Sequence, residues 1–228
     1  MSLDAPRPIH RDRSVLLLAA AAVVVLVTVG LVLTFGVNRP PELGGLVAGS
    51  DAPPEGIARI SWREDEACLE VLRVGEEPRE VTCQFEGGEL LGWRDGTIAM
   101  RTWSSVGEEL VFVEEATGAV TRRLVPPEES KDLPTSPYGA VRALTSGGTM
   151  TVTDAASGAV VWRVEVPSNY RIDVSARTGD GAWIAMVDSA SRLLLVAADG
   201  SAPPRVWVED LGNSYDPLLW EGTGTVPE

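Results

Sequence analysis

The sequence predicts an all-β domain built from about four repeated units, tethered behind one N-terminal transmembrane helix. Three observations predict this. Val15 to Val37 is a run without a charged residue. From Ile57 onward, short stretches of β-branched and aromatic residues alternate with Gly, Asp and Pro, a strand-and-turn pattern with no amphipathic helix of useful length. A strand–turn–strand segment recurs along that region at a spacing of about 40 residues.

The apolar run, residues 14–37, comes first. At about 1.5 Å per residue its helix is roughly 34 Å long, against a hydrocarbon core of about 30 Å. Lipid offers the backbone no hydrogen-bonding partner, so the segment must be helical. A cleaved signal peptide is the competing reading. Its apolar core is normally about 7–15 residues and closes on small residues in an A-x-A pattern. This run is longer and ends Thr34-Phe35-Gly36-Val37-Asn38-Arg39, so a retained anchor is expected. Arg7, Arg11 and Arg13 precede it and only Arg39 follows closely. The positive-inside rule then places residues 1–13 in the cytoplasm and the remainder outside. The expected location is the cell membrane, single-pass, with an extracytoplasmic C-terminal domain.

Residues 38–56, NRPPELGGLVAGSDAPPEG, read as a Pro/Gly-rich linker. Residues 57–228 form one domain with a sizeable core. The net charge is −14, and Lys131 is the sole lysine. A domain of this sign repels a phosphate backbone, so no nucleic acid is expected as a partner. The acids are spread in pairs such as Glu108-Glu109 and Glu128-Glu129, a solvated surface, without oxygen ligands at calcium-binding spacing.

Cys68 and Cys83 bracket a segment nearly symmetric about Gly75-Glu76. A hairpin turning there sets the two cysteines opposite one another, within disulfide reach, in a compartment where the bond persists. Two free thiols are the alternative. A zinc site is not expected, because two cysteines without a nearby histidine do not complete one.

Glu109 to Leu124 reads as strand, turn, strand, and Thr149 to Val164 repeats it with Gly118 and Gly158 in step. Arg192 to Val208 is a further copy turning at Asp199-Gly200, and the cysteine hairpin is the first. A second element precedes several copies, as Ser61-Trp62, as Gly92-Trp93-Arg94-Asp95-Gly96 and as Ser175 to Ala185; Asp216 to Thr225 looks like the start of another. Such a period, with about four strands per unit, is the signature of propeller blades.

On these residues the chain resembles the TolB-type and WD-like β-propeller repeats, most closely over Leu91 to Val125 and Val174 to Val208. Residues 149–166 also resemble quinoprotein-type repeats. The resemblance implies a β-propeller-like domain: a four-bladed ring, part of a ring completed by a partner, or a β-sandwich of the same meanders. No functional residue and no quinone cofactor carries over from either family.

Trp62, Trp93, Trp162, Trp183, Trp207 and Trp220 are read as recurring at similar blade positions and packing between sheets, with a carbohydrate platform as the alternative. Arg122, Arg123, Arg163 and Arg205 are read as surface partners of the carboxylates. His10 lies before the span, and no histidine follows it. A Ser-His-Asp or Cys-His arrangement and a histidine-containing metal site are therefore excluded from the exported domain. No catalytic, cofactor-binding or metal residue is singled out, and no cofactor is expected. The expected function is a non-enzymatic module binding a protein or a cell-envelope component. An exported hydrolase using two carboxylates, or an accessory subunit of one, is the alternative.

Overall fold

The computed structural model describes residues 23–25, 53, 55–63, 66–134, 139–212 and 217–227. The chain divides into two compact units, Met1–Arg39 and Pro40–Glu228. In the first, Val23 to Val25 are helical. The expected cytoplasmic arm, the rest of the expected span and nearly all of the expected linker lie outside the described residues. Among the described residues no helix is long and apolar enough to cross a membrane.

The second unit is all β: β1 (Ile57–Arg63), β2 (Glu66–Leu72), β3 (Arg79–Phe85), β4 (Glu89–Arg94), β5 (Thr97–Ser104), β6 (Gly107–Glu114), β7 (Val120–Leu124), β8 (Val141–Ser146), β9 (Thr149–Asp154), β10 (Val160–Glu165), β11 (Ile172–Arg177), β12 (Trp183–Asp188), β13 (Leu193–Ala197), β14 (Arg205–Val208) and β15 (Leu218–Trp220). They form four antiparallel meander sheets. In chain order these are β15-β1-β2-β3, β4-β5-β6-β7, β8-β9-β10 and β11-β12-β13-β14. The arrangement is propeller-like. The segment that looked like the start of another repeat is β15, which pairs with β1 and supplies the missing first strand of the first sheet.

The repeated hairpins have the same physical design. In the second sheet Gly118 N–H donates to Glu114 O and Glu114 N–H to Ala119 O; in the third, Gly158 donates to Asp154 O and Asp154 to Ala159 O. Thr117 and Ser157 occupy matching positions, each donating its hydroxyl to the carboxylate that opens the turn. Gly118 and Gly158 have φ of 70° and 71°, a left-handed conformation that favours glycine.

Three hydrophobic clusters join the sheets. One combines the first and second sheets around Ile60, Leu69, Trp93 and Met100. Another combines the first and fourth around Leu72, Leu195 and Trp220. The third combines the third and fourth around Met150, Val152, Ile184 and Leu194. The far face of the second sheet packs Leu91, Ala99 and Leu110 against Val125, Leu133 and Val226. Among the described residues, no such cluster combines the second and third sheets. The packed order among the described residues is thus second, first, fourth, third, which leaves the outer faces of the second and third sheets, here termed the seam, without a common cluster.

Polar ties reinforce the joints. Trp220 Nε1 donates to Ala176 O across the first and fourth sheets, at 3.1 Å. Arg59, in β1, donates to Glu70 and to Leu211 O, each at 2.8 Å. Tyr170 OH donates to Asp188 Oδ2 at 2.6 Å, and Arg192 Nε donates to the same oxygen at 2.8 Å. Burial, with help from the neighbouring Asp188, pushes the Tyr170 phenol well above its usual range despite Arg192.

Cys68 and Cys83 are disulfide-bonded, with Cα atoms 4.0 Å apart. They are directly opposed, as the hairpin symmetry implies, but the register shifts between Ala67 and Cys68 and again between Leu69 and Glu70.

The tryptophans correct one expectation. They do not share a blade position. Trp93 and Trp220 lie on first strands and are fully buried, whereas Trp62 lies on a second strand and is half exposed. Trp183 is on β12, and Trp162 and Trp207 are on outer strands. The strand equivalent to Trp93's is β15, so the sequence likeness between Ser61-Trp62 and Gly92-Trp93 pairs strands that are not equivalent. Of the recurrent arginines, Arg122 and Arg123 do meet carboxylates, Glu109 and Glu129. Arg122 also donates to Gln84 O and lies over Phe85, tying the second sheet to the first.

Candidate functional site

A cavity of about 630 Å³ opens beside the first strands, lined by Gly88, Glu89, Arg101, Trp103, Asp173, Val174 and Pro217. These residues come from the second and fourth sheets and from the residue preceding β15.

The strand register dictates the first half of the site. Glu89 and Arg101 are direct cross-strand partners on β4 and β5, and they form a salt bridge. Arg101 Nε also faces Glu108 Oε1 at 3.5 Å. Trp103 follows two positions along β5, on the same face, and the Arg101 guanidinium lies 5.5 Å from its ring centroid. Ser130, from the connection after β7, donates to Glu108 Oε2 at 2.6 Å. Trp103 remains half exposed.

A backbone irregularity supplies the second half. The register of β11 against β12 passes from Ile172↔Asp188 to Val174↔Val187, which leaves Asp173 without a cross-strand partner. It is the extra residue of a β-bulge, a device that re-aims a side chain. Its Oδ1 pairs with Arg171 Nε at 2.6 Å, and the side chain is only 4% exposed. Its Oδ2 is buried and has no hydrogen-bond partner. Glu108 Oε1 and Arg101 Nε are likewise buried without one. A buried carboxylate oxygen left unpaired is costly, so this cavity is suited to a ligand that donates hydrogen bonds and offers an apolar surface to Trp103.

Glu89 and Asp173 bring two carboxylates to one cavity. Each is engaged by a guanidinium rather than set in the apolar surroundings that a general acid needs. Cys68, Cys83 and Glu80 also lie close enough together to hold a metal ion, but both sulfurs are committed to the disulfide.

Sequence reasoning singled out none of Arg101, Trp103 or Asp173. Registering β4 and β5 about the Asp95-Gly96 turn sets Glu89 opposite Thr102; the register shift between Leu90 and Gly92 is what brings it to Arg101, so this pairing too carries no local signal. The bulge at Asp173 has no local sequence signal.

No family model matches the chain, and no curated protein matches it. Among solved structures, BamB from Moraxella catarrhalis is 17% identical, with a TM-score of 0.21, over 68% of this chain and 49% of its own. Apo AztD from Citrobacter koseri is 14% identical, with a TM-score of 0.25, over 77% of this chain and 65% of its own. The chain therefore spans less than two thirds of the length of either. Its propeller-like description rests on its own four sheets and their order.

Proposed function

We propose that the chain is a single-pass, membrane-anchored protein whose extracytoplasmic domain, related in its repeats to the TolB-type and WD-like propellers, is a non-enzymatic module that binds a protein of the cell envelope. The observation that carries this reading is the seam between the second and third sheets. Trp103 lies on the face of the second sheet turned away from the first, and Leu144 on the face of the third turned away from the fourth, because Leu144 is registered opposite Thr151 rather than Met150 or Val152. Both are exposed, Leu144 by 71%. Large apolar side chains on two sheet faces without a shared core favour a partner protein.

Photo-cross-linkers placed at Trp103 and at Leu144 in the full chain, in its native membrane, test this. One protein captured from both positions, and lost from the Trp103 position on Leu144→Asp substitution, is the expected result. Captures that differ between the two positions and ignore that substitution would overturn it. The anchor and orientation are tested by a C-terminal phosphatase reporter, expected to be active only outside the cytoplasm. The presence of Glu89 and Asp173 in one cavity keeps an exported carboxylate-dependent hydrolase, or a subunit of one, as the second reading; turnover of a glycan abolished by Asp173→Asn would establish it.

A further inference from the structure

We propose that the cavity beside β4, β5 and β11 binds an organic cation, a guanidinium or primary ammonium on an aliphatic stem. The proposal rests on the reading of the domain as a binding module and names the chemistry of its ligand.

Charge selects the sign. Among the described residues, Glu89, Arg101 and Asp173 line the cavity; counting Glu108, which shares Arg101, and Arg171, which pairs with Asp173, three carboxylates meet two guanidiniums. Unsatisfied atoms select the polarity. Asp173 Oδ2 is an acceptor without a donor, whereas the other two unsatisfied atoms of the group, Glu108 Oε1 and Arg101 Nε, face one another at 3.5 Å. A ligand must therefore bring N–H or O–H groups. A neutral polyol supplies donors but leaves three carboxylates sharing two guanidiniums, and burying an uncompensated charge is costly. An ammonium or guanidinium answers both demands. Trp103 presents an indole on which a cation or its stem can rest, as the Arg101 guanidinium already does. The bulge makes the site a built feature: without the extra residue, Asp173 would be held in the β11–β12 ladder.

Such a group can arrive on a free diamine or on an arginine or lysine of a partner protein. Calorimetric titration of the full chain in detergent with agmatine, with the capped tripeptide acetyl-Gly-Arg-Gly-amide and with glucose separates these. Saturable binding of at least one of the two cations is expected, weakening with added salt. Asp173→Asn should reduce affinity by about tenfold or more, and Trp103→Ala, at a half-exposed position that tolerates truncation, by about threefold. Binding of agmatine alone identifies a free cation, and binding of the tripeptide alone identifies a basic side chain of a partner. Absence of binding by both, affinity unchanged in Asp173→Asn and Trp103→Ala, or glucose binding as tightly as the cations would overturn the proposal. If Asp173→Asn fails to fold, Trp103→Ala and the salt dependence decide. Capture of one partner at the seam, with no cation bound, would sink this proposal and leave the module reading standing; cation binding without seam capture would do the reverse.

Discussion

Gly92 and Gly224 form an antiparallel bridge between β4 and the tail that follows β15. Thr225 N–H donates to Leu91 O, and Trp93 N–H to Thr223 O, each at 2.9 Å. The last residues therefore serve two sheets. Leu218 to Trp220 complete the first, and the tail then lies along the inner edge of the second. A Cβ on Gly92 would collide with the backbone of Thr225, and one on Gly224 with the carbonyl of Leu91. Both obstacles are backbone, which has no rotamer to move aside. Gly92→Ala and Gly224→Ala should each cost about 3 kcal/mol of unfolding free energy. Gly96→Ala, with φ of 75° and open space around it, should cost about 1 kcal/mol. Urea unfolding of the full chain in detergent measures all three; equal losses would show that close approach is not the cause.

Trp220 should be the costliest single truncation at the joint of the first and fourth sheets. It is fully buried, its ring centroid lies 6.0 Å from that of Trp207, and its Nε1 reaches Ala176 O. Trp220→Ala should lose about 3–5 kcal/mol. Trp62→Ala, at a half-exposed position, should lose about 1 kcal/mol or less. Comparable losses would contradict the placement of β15 as the first strand of the first sheet.

The disulfide should stabilise the first sheet chiefly by restricting the unfolded chain. Cys68 and Cys83 are separated by 15 residues, and closing a loop of that length is worth about 3 kcal/mol in the chain-entropy description. Cys68→Ala with Cys83→Ala should lower the urea midpoint accordingly. A reducing agent should lower the wild-type midpoint toward that of the double variant and leave the variant unchanged. A midpoint indifferent to reductant would show that the bond does not form in the isolated protein.

Local turn chemistry was legible in the sequence, and tertiary placement was not. Gly118 and Gly158 stand in matching turns because a glycine and an oxygen-bearing side chain specify that turn locally. The near-symmetry of one hairpin pointed to the opposition of Cys68 and Cys83, which the strands reach through the register shift between Leu69 and Glu70. Trp62 and Trp220 misled because the chain closes its first sheet with its last strand, so a copy-by-copy comparison pairs strands of different rank. Asp173 was hidden because a bulge is decided by how β11 meets β12, and an isolated Ile-Asp-Val carries no mark of it. The seam was invisible for a similar reason: the alternation of Thr149, Thr151 and Thr153 with Met150 and Val152 shows one wet face, but not which sheet it fails to meet.

Acid should weaken the joint around Glu70. Glu70 accepts from Arg59 Nε at 2.8 Å and from Arg63 at 3.1 Å, and its side chain is 4% exposed. Burial pushes its carboxyl up, but the charge of Arg59 and hydrogen bonds from Arg59 and Arg63 outweigh that and hold it below the usual value of 4.5. A depressed carboxyl contributes stability in full above its unfolded value, about 4.3, and the contribution disappears as pH falls through the lower folded value. Asp154, Asp180 and Asp199 carry the same sign, each held down first by a hydrogen bond within its own turn, from Ser157, Thr178 and Ser201. Unfolding free energy should therefore be level from pH 7 to about pH 5 and decline below about pH 4.5. Glu70→Gln should cost about 3 kcal/mol at pH 7, because the buried Arg59 guanidinium loses the carboxylate it shares with Arg63. Its stability should also fall less steeply in acid than the wild type's. Urea unfolding at a series of pH values from 7 to 3.5 measures both curves; if they ran parallel through the acid range, the Arg59–Glu70–Arg63 group would not be the source of the acid sensitivity.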